Sequence, residues 1–514
     1  MPERFRNPIL PGTHPDPSVC RVGDDYYLVT STFEYFPGLP VYHSRDLVHW
    51  RPLGHVLDRP SQLDLDGVRP SGGLYAPTIR HHDGTFFVVC TLVDGGRRSG
   101  NFLVTATDPA GPWSEPAWLE GADGIDPSLL FDDGRVWFHW CRPVGPRGRT
   151  EVCVQELHQR RQALTGRRHV LWTGALVNAI WAEGPHLYRV GDRCVLVAAE
   201  GGTEFHHAVT AARSERVTGP YEGCPSNPLL THRHLGRSHP VFGPGHADLV
   251  ETPAGEWWAV LLARRPYGGR FTNLGRETFL VPVVWEDGWP VFCPGLGQVP
   301  TELTGPDLAP HPWPAEPARD HFDAPVLAPA WSVVRTPRDE SWTLTERPGH
   351  LRLRLRPASL GDPASPSFVA RRQQHVDFAA HAALDFEPAG AHECAGMALR
   401  LTDDRHVQLV VTATAGGRLV RAVRRDGSAV ATLAEAPVGA GRVLLGVVAR
   451  GQDYELRFAA EAGEWRTLTR FDGRLLSSHP SGVFVGTVLG MYASANGRRS
   501  TAHADFDWFE YQET

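Results

Sequence analysis

A short strand-opening phrase recurs through the first half of the chain, and its spacing limits the folds that the chain can adopt. Copies of the phrase begin near residues 16, 77, 126, 183 and 247. Each copy leads into an apolar run, a turn rich in Gly or Asp, and a second apolar or aromatic run. Units of several strands repeated at such intervals are typical of a β-propeller, in which equivalent positions face one axis. Five copies predict five blades.

One position of the repeated phrase, called the slot below, is often acidic. Asp16 and Asp126 occupy it in the first and third copies, and Glu183 lies one residue away from it in the fourth. The slot holds Ala76 in the second copy and His246 in the fifth. Because equivalent slots converge on the axis, three carboxylates are expected to lie close together, which favours acid/base chemistry. The alternative for any single Asp-Pro pair is a local turn that opens a strand.

A proline-rich segment divides the chain into two strand-rich regions. Prolines are frequent over residues 300–317, so residues 300–319 are predicted to form an extended linker. The propeller is predicted over residues 1–299. Residues 320–514 contain many short alternating runs, of which 351–355 is an example, and these favour a β-sandwich. The predicted fold class is therefore all-β.

The composition excludes several classes of partner. Hydrophobic residues make up 41 % of the chain and the net charge is −7. A globular protein without a basic excess is not expected to bind nucleic acid or an anionic membrane. The eight cysteines form no C-x-x-C pair, which argues against a zinc site. Because no apolar leader or membrane-length apolar run is present, a cytoplasmic location is expected.

The three carboxylates have surroundings that suggest different roles. Cleavage of a glycosidic bond needs one carboxyl that is protonated and another that is ionised near neutral pH. Asp16 lies between two prolines, which would hold it rigidly as a base. Glu183 follows Trp181, and an apolar wall together with the charge of Asp126 would raise its pKa.

Five stretches of the sequence stand out together: HPDPS at 14–18, GIDPS at 124–128, WAEGP at 181–185, GPGHADLV at 243–250 and LGRET at 274–278. In combination they resemble glycoside hydrolase family 43, the family of β-xylosidases and α-L-arabinofuranosidases. The resemblance covers nearly the whole chain and implies a five-bladed propeller with a concanavalin-like jelly-roll sandwich. It implies an inverting mechanism in which Asp16 is the general base, Glu183 the general acid and Asp126 the modulator of the acid's pKa. An inverting enzyme places its two carboxyls about 6.5–9.5 Å apart.

The resemblance also assigns substrate-binding residues. The alternative for Arg276 is an ion pair with Glu277, and the alternative for the aromatic residues is ordinary packing. The resemblance places Phe484 of the sandwich at the mouth of the pocket. There it would close one end of the cleft and enforce removal of single terminal sugars. The assigned residues are Arg276, Phe33, His246, Thr203, His207 and Phe484.

No cofactor is expected to be required. The resemblance makes His246 a candidate ligand for calcium or another divalent ion, against the alternative of a core histidine. Asp505 and Asp507 are a second candidate calcium pair, with surface solvation as the alternative.

The predicted activity is exo-acting, inverting release of xylose from the non-reducing ends of β-1,4-xylo-oligosaccharides. An α-L-arabinofuranosidase or a bifunctional enzyme remains the alternative, because the second copy carries Tyr75 where some β-xylosidases of the family carry Trp. A non-catalytic carbohydrate-binding propeller would lack a catalytic carboxylate, and a retaining invertase-type enzyme would need motifs that are absent. Expected partners are short xylo- or arabinosylated oligosaccharides, with homo-oligomer formation a further possibility.

Overall fold

The computed structural model describes residues 3–96, 98–146, 148–176, 180–337, 339–461 and 463–514. Within them, the first half of the chain forms five antiparallel sheets in sequence order, which confirms the predicted propeller. Blade one consists of Ser18–Val22, Asp25–Val29, Gly38–Ser44 and Arg51–Leu57. Blade two consists of Gly73–His82, Thr85–Val93, Gly100–Ala106 and Ala117–Trp118. Blade three consists of Ile125–Asp132, Arg135–Pro143, Thr150–His158 and Ala163–Trp172. The strands of blades four and five are Glu183–Val190, Arg193–Glu200, Ala208–Ser214, Glu222–Gly223 and Leu230–Thr231; and Phe242–Glu251, Trp257–Arg264, Glu277–Glu286 and Trp289–Phe292.

A buried carboxylate closes the ring at the axis. Asp248, on the inner strand of blade five, accepts hydrogen bonds from Ser18 Oγ of blade one at 2.6 Å and from Tyr188 of blade four at 2.6 Å. Arg80 of blade two donates to both carboxylate oxygens, at 2.8 and 3.0 Å. Asp248 is fully buried, yet these partners hold its pKa well below its usual range against the effect of burial. One ionised side chain thus ties four blades together.

The slot of the repeated phrase has the same backbone conformation in every blade. In blades two to five the pairing register of the inner strand also shifts at the slot, as at a β-bulge. A bulge turns the strand locally and re-aims neighbouring side chains. Glu183 precedes the slot of blade four, as the sequence predicted. The slot residues have positive φ angles: Asp16 53°, Ala76 35°, Asp126 57°, Gly184 55° and His246 49°.

The proline-rich segment packs against the propeller. Its strand Glu302–Thr304 pairs with Arg4–Arg6 near the start of the chain. Trp313 Nε1 donates to the carbonyl of His49 at 3.2 Å, and the Arg51 guanidinium lies 3.9 Å from the Trp313 ring centroid. The segment is therefore an extended strap along blade one.

The second half of the chain forms a sandwich of two eight-stranded sheets. Helical structure in the described residues is limited to the short turns Gln159–Arg161, Gly473–Leu476 and Ser478–Ser481. No helix of the described residues is long and apolar enough to cross a membrane. One sheet has the order Ala429–Pro437, Gly417–Asp426, Arg405–Thr414, Cys394–Thr402, Val488–Ser494, Ser367–Arg372, Ser332–Val334 and Tyr35–Phe36. The other has the order Trp342–Thr343, Leu351–Arg354, His503–Glu513, Phe378–Asp385, Val443–Arg450, Asp453–Ala460 and Arg466–Asp472, with Arg319–Asp320 also paired to His503–Glu513.

The propeller contributes the edge strand of one sandwich sheet. Tyr35–Phe36 lies in the connection between the second and third strands of blade one and pairs with Ser332–Val334. The apolar cores of blades one and two are continuous with the core of the sandwich. The sandwich is therefore built into the wall of the propeller beside Phe33.

Candidate active site

A pocket opens at the propeller axis and contains all nine residues that the sequence assigned to catalysis and substrate binding. They come from blades one, three, four and five, from the 201–207 loop and from the sandwich. Residues far apart in the chain meet here because the slots of the repeat converge. The lining residues are Asp16, Phe33, Tyr75, Ala76, Ile125, Asp126, Glu183, Thr203, His207, His246, Leu262, Arg276 and Phe484.

Of the three carboxylates in the pocket, Asp16 has the most cationic partners. Arg276 Nη1 donates to its Oδ1 at 2.9 Å, Ser31 Oγ donates to its Oδ2 at 2.8 Å, and His246 Nδ1 lies 3.3 Å from Oδ1. Burial alone would raise the pKa of Asp16, but Arg276, His246 and Ser31 together hold it well below its usual range. Asp16 is therefore ionised at neutral pH, as a general base must be.

Glu183 has the opposite protonation state. Burial raises its pKa to about 8, and the negative charge of Asp126 adds to the rise. Burial also raises the pKa of Asp126, whose Oδ2 accepts a hydrogen bond from the Gly184 N–H at 3.0 Å. This bond joins Asp126 to the residue that follows Glu183. At pH 7 Glu183 is a proton donor, the state required of a general acid.

His246 lies at the axis between the carboxylates. Burial lowers its pKa, but the hydrogen bond and charge of Asp16 and the charges of Asp126 and Glu183 outweigh burial and raise it. Its ring packs on the backbone of blade four, because a Cβ at Gly184 would lie 2.8 Å from its Cδ2. His246 therefore adds positive charge on the Asp16 side of the pocket.

Arg276 lies beside two aromatic rings. Its Cζ is 5.4 Å from the centroid of Phe33 and 5.3 Å from that of Phe484. The alternative of an ion pair with Glu277 is wrong, because Glu277 pairs with Arg265 at 2.7 Å while Arg276 pairs with Asp16. Arg276 is thus directed at the base and the pocket.

Phe33, Tyr75 and Phe484 form an aromatic wall around one end of the pocket. Phe33 lies 5.2 Å from Tyr75 and 6.0 Å from Phe484, centroid to centroid. Phe484 is partly exposed in a loop, so the alternative of a buried strand residue does not hold. Its N–H donates to Ser71 Oγ at 2.9 Å, which fixes the sandwich loop on blade two.

Thr203 and His207 also line the pocket and lie in the 201–207 loop. Thr203 Oγ1 accepts a hydrogen bond from Arg276 Nη1 at 3.2 Å. The ring of His207 lies on the backbone of Gly245, and its Nδ1 is 3.0 Å from the Gly243 carbonyl. Burial lowers the pKa of His207 to about 3, so it is neutral. His207 supports the pocket wall.

The sequence interpretation did not assign Tyr75, Ile125 and Leu262 to the site. Tyr75 and Ile125 directly precede the slots of blades two and three, as Glu183 precedes that of blade four. The position before each slot could therefore have identified Tyr75 and Ile125 as site residues. Leu262, on a strand of blade five, has no such mark in the sequence.

The two candidate metal sites from the sequence, at His246 and at Asp505 with Asp507, do not fit a metal centre among the described residues. Among the described residues, no group of three or more His, Cys, Asp and Glu side chains is arranged to hold a metal ion. His246 faces Asp16 through Nδ1, so both groups are used in an ion pair. Asp505 is held by Arg347 and Arg352, and Asp507 by Arg442, which leaves neither as a free calcium ligand.

Comparison with known proteins identifies the family. The sequence model for glycosyl hydrolases family 43 matches residues 5–290, and that for the β-xylosidase C-terminal concanavalin A-like domain matches residues 319–512. The chain belongs to glycosyl hydrolase family 43. The two matches cover the propeller and the sandwich of this family 43 hydrolase, and they confirm the resemblance found in its sequence.

Its relatives include enzymes named for two sugars. A non-reducing end α-L-arabinofuranosidase of Bacteroides ovatus is 42 % identical over 99 % of this chain and 94 % of its own length. A xylosidase/arabinosidase of Butyrivibrio fibrisolvens is 41 % identical, with 99 % of each chain covered. The crystal structure of a xylan β-1,4-xylosidase from Bacillus halodurans has a TM-score of 0.94 at 39 % identity, covering 99 % of this chain and all of that one.

Proposed function

We propose that this family 43 hydrolase removes single terminal pentosyl residues, with the β-xylosyl ends of β-1,4-xylo-oligosaccharides as the leading substrate. The observation that carries the proposal is the division of protonation states in one pocket. Asp16 is held ionised by Arg276 and His246, while Glu183 is held protonated by burial and Asp126. This is the pair of states that glycosidic hydrolysis requires.

In the proposed mechanism Asp16 takes a proton from a water molecule as the water oxygen attacks the anomeric carbon. Glu183 gives its proton to the glycosidic oxygen, and the bond from that oxygen to the anomeric carbon breaks. The new C–O bond forms on the opposite face, so the configuration inverts. The charge of Asp126 keeps Glu183 protonated until the leaving oxygen requires the proton.

The aromatic wall supports exo action. Phe33, Tyr75 and Phe484 close the end of the pocket beside Arg276. A pocket closed at one end admits a chain terminus and excludes an internal segment of a polysaccharide. Short oligosaccharides are therefore the proposed substrates.

Release of α-L-arabinofuranosyl residues is a second candidate activity. Two observations favour it: the name of the 42 %-identical Bacteroides ovatus relative, and the presence of Tyr75 where some β-xylosidases of the family carry Trp. A smaller ring at this position changes the shape of the wall that contacts the terminal sugar.

The proposal is tested by turnover of p-nitrophenyl β-D-xylopyranoside and p-nitrophenyl α-L-arabinofuranoside. We expect hydrolysis of at least one, and the ratio of the two kcat/KM values decides between the candidates. NMR of the first product from the β-xyloside should show α-xylose, and β-xylose would refute inversion. Asp16→Asn should lower kcat/KM by about 10³-fold with unchanged circular dichroism. If the wild type hydrolyses neither substrate, the proposal is wrong.

A further inference from the structure

We propose that the Trp181 ring is the platform of a leaving-group subsite, on which the sugar that departs with the glycosidic oxygen stacks. The inference rests on the proposed function. Trp181 is 42 % exposed and lies two residues before Glu183. Because Glu183 protonates the glycosidic oxygen, the departing sugar must lie on the Glu183 side of the pocket. Among the described residues, the other tryptophan with comparable exposure is Trp465, in the sandwich.

The backbone holds Trp181 in a strained conformation. Its φ is 55°, in the left-handed region where a bulky residue is an outlier. The Trp181 N–H donates to the Gly148 carbonyl at 2.8 Å, and Thr150 Oγ1 donates to the Ala182 carbonyl at 3.0 Å. Strain of this kind is concentrated at ligand clamps, where the surrounding structure enforces it.

Two glycines support the ring from blades three and four. A Cβ at Gly148 would lie 2.7 Å from Trp181 Cε2, and a Cβ at Gly202 would lie 2.7 Å from Trp181 Cε3. The ring therefore contacts the backbone at both glycines, where there is no room for a side chain. Gly202 is followed by Thr203, which lines the pocket and binds Arg276. Trp181 and Gly202 are thus close in sequence to the pocket residues Glu183 and Thr203. A ring that is fixed beside the pocket before a ligand arrives lowers the entropic cost of binding.

The surface around the ring indicates the class of ligand. Val144, in the hairpin that carries Gly148, is 44 % exposed and gives this hairpin an apolar surface. A rigid aromatic ring beside an apolar side chain fits the C–H face of a neutral pyranose. The subsite would hold a xylopyranosyl residue in either case, as the next sugar of a xylo-oligosaccharide or as the residue that bears an arabinofuranosyl branch.

The test compares a leaving group that needs the platform with one that does not. Trp181→Ala should lower kcat/KM for xylobiose, or for an arabinofuranosyl-xylose disaccharide, by about tenfold or more. Turnover of the matching glycosyl fluoride should change by less than about twofold, since fluoride offers no ring to stack. Trp181→Phe should recover most of the disaccharide activity, and Trp465→Ala should change neither substrate.

Each outcome bears on a different statement. Equal losses with the disaccharide and the fluoride would assign Trp181 a structural role and overturn the subsite. An unchanged disaccharide kcat/KM in Trp181→Ala would overturn it as well. Failure of the wild type to hydrolyse any glycosyl fluoride would overturn the proposed function itself, and with it the subsite.

Discussion

At the scale of single residues, the pocket divides its charges unequally. Three carboxylates share two cationic side chains, and both cations contact Asp16. For both Asp126 and Glu183, His246 is the cation that most strongly opposes the raised pKa, and the effect of Arg276 is smaller. Neighbouring groups of one chemical type therefore have different protonation states, because their partners differ.

The alkaline limit of activity should follow the protonation of Glu183. With a pKa of about 8, Glu183 loses its proton as the pH rises through that value, and kcat/KM should fall there. Asp126→Asn removes the negative charge that opposes ionisation of Glu183. The falling limb should therefore move to lower pH, by about one unit. The measurement is kcat/KM for an aryl glycoside against pH.

A matched control for this shift is Asp123→Asn, on the same blade. Asp123 is exposed and pairs with Arg142. Its replacement should leave the limb in place. A limb that stays in place in Asp126→Asn would contradict the role given to Asp126.

The loss of kcat/KM in Glu183→Gln should depend on the leaving group. Loss of the proton donor should lower kcat/KM for xylobiose by about 10³-fold, because its leaving oxygen needs a proton. A 2,4-dinitrophenyl glycoside leaves without protonation, so its loss should be much smaller. Steady-state kinetics with both substrates measure this difference, and equal losses would remove Glu183 from the acid role.

At the scale of the element, the repeated phrase has two positions that face the pocket. The slot supplies Asp16, Asp126 and His246, and the position before it supplies Tyr75 and Ile125, as well as the acid of blade four. The bulge lets consecutive residues reach one cavity, where regular strand residues would point to opposite faces. The acid and base thus come from different positions of one motif.

Gly184→Ala should disturb the pocket through a single methyl group. Gly184 has φ 55°, and a Cβ there would lie 2.8 Å from the His246 ring. Gly191, at the end of the same strand, has φ 58° and nothing within 4 Å of its Cβ position. Both alanine variants carry the backbone strain, but Gly184→Ala alone should displace His246. We expect at least about tenfold lower kcat/KM for Gly184→Ala than for Gly191→Ala.

The melting temperatures provide a second comparison of the two glycine variants. Gly184→Ala should melt below Gly191→Ala, since it adds a steric contact to the same backbone cost. Identical activity and melting temperature in the two variants would contradict the contact with His246.

At the scale of the whole molecule, a buried ionic cluster joins the two domains beside the pocket. Arg400 of the sandwich donates to Glu34 Oε1 at 3.3 Å, to Tyr35 Oη at 2.7 Å and to Asp403 Oδ1 at 2.8 Å. The other oxygen of Glu34 accepts the Ser71 N–H at 3.0 Å. The cluster thus fixes the segment that carries the aromatic wall.

Arg400→Met should destabilise the protein and loosen the pocket. It leaves Glu34 buried without its cation, a change that costs about 3–5 kcal/mol. We expect a lower melting temperature in calorimetry and a reduced kcat/KM. Arg424→Met, at an exposed position of the same sandwich sheet, is the control and should change neither. An unchanged melting temperature in Arg400→Met would refute a stabilising role for the cluster.

The sequence alone predicts the five blades and the place of the slot at the axis, because a repeat puts equivalent residues at equivalent points of a ring. It also predicts the sandwich, because alternation over short strands marks a face that must be buried. It was not sufficient for the strand Tyr35–Phe36, whose partner lies in the other domain. Two residues carry too little periodicity to indicate where they pair.

The same limit applies to the side chains around the pocket. The pairing of Glu277 with Arg265 rather than Arg276 depends on the path of a loop. The exposure of Trp181 depends on two glycines from different blades. Neither arrangement leaves a local pattern in the chain.

The shared strand has a consequence for the order of synthesis. Tyr35–Phe36 leaves the ribosome early, but its partner Ser332–Val334 and the wall residue Phe484 follow only after the whole propeller has been made. A nascent chain that already contains all three carboxylates therefore has an open cleft with an unpaired edge. Translation itself delays completion of the pocket until Phe484 has been made, so a chain released before that point would be an incomplete enzyme with a strand free to pair wrongly.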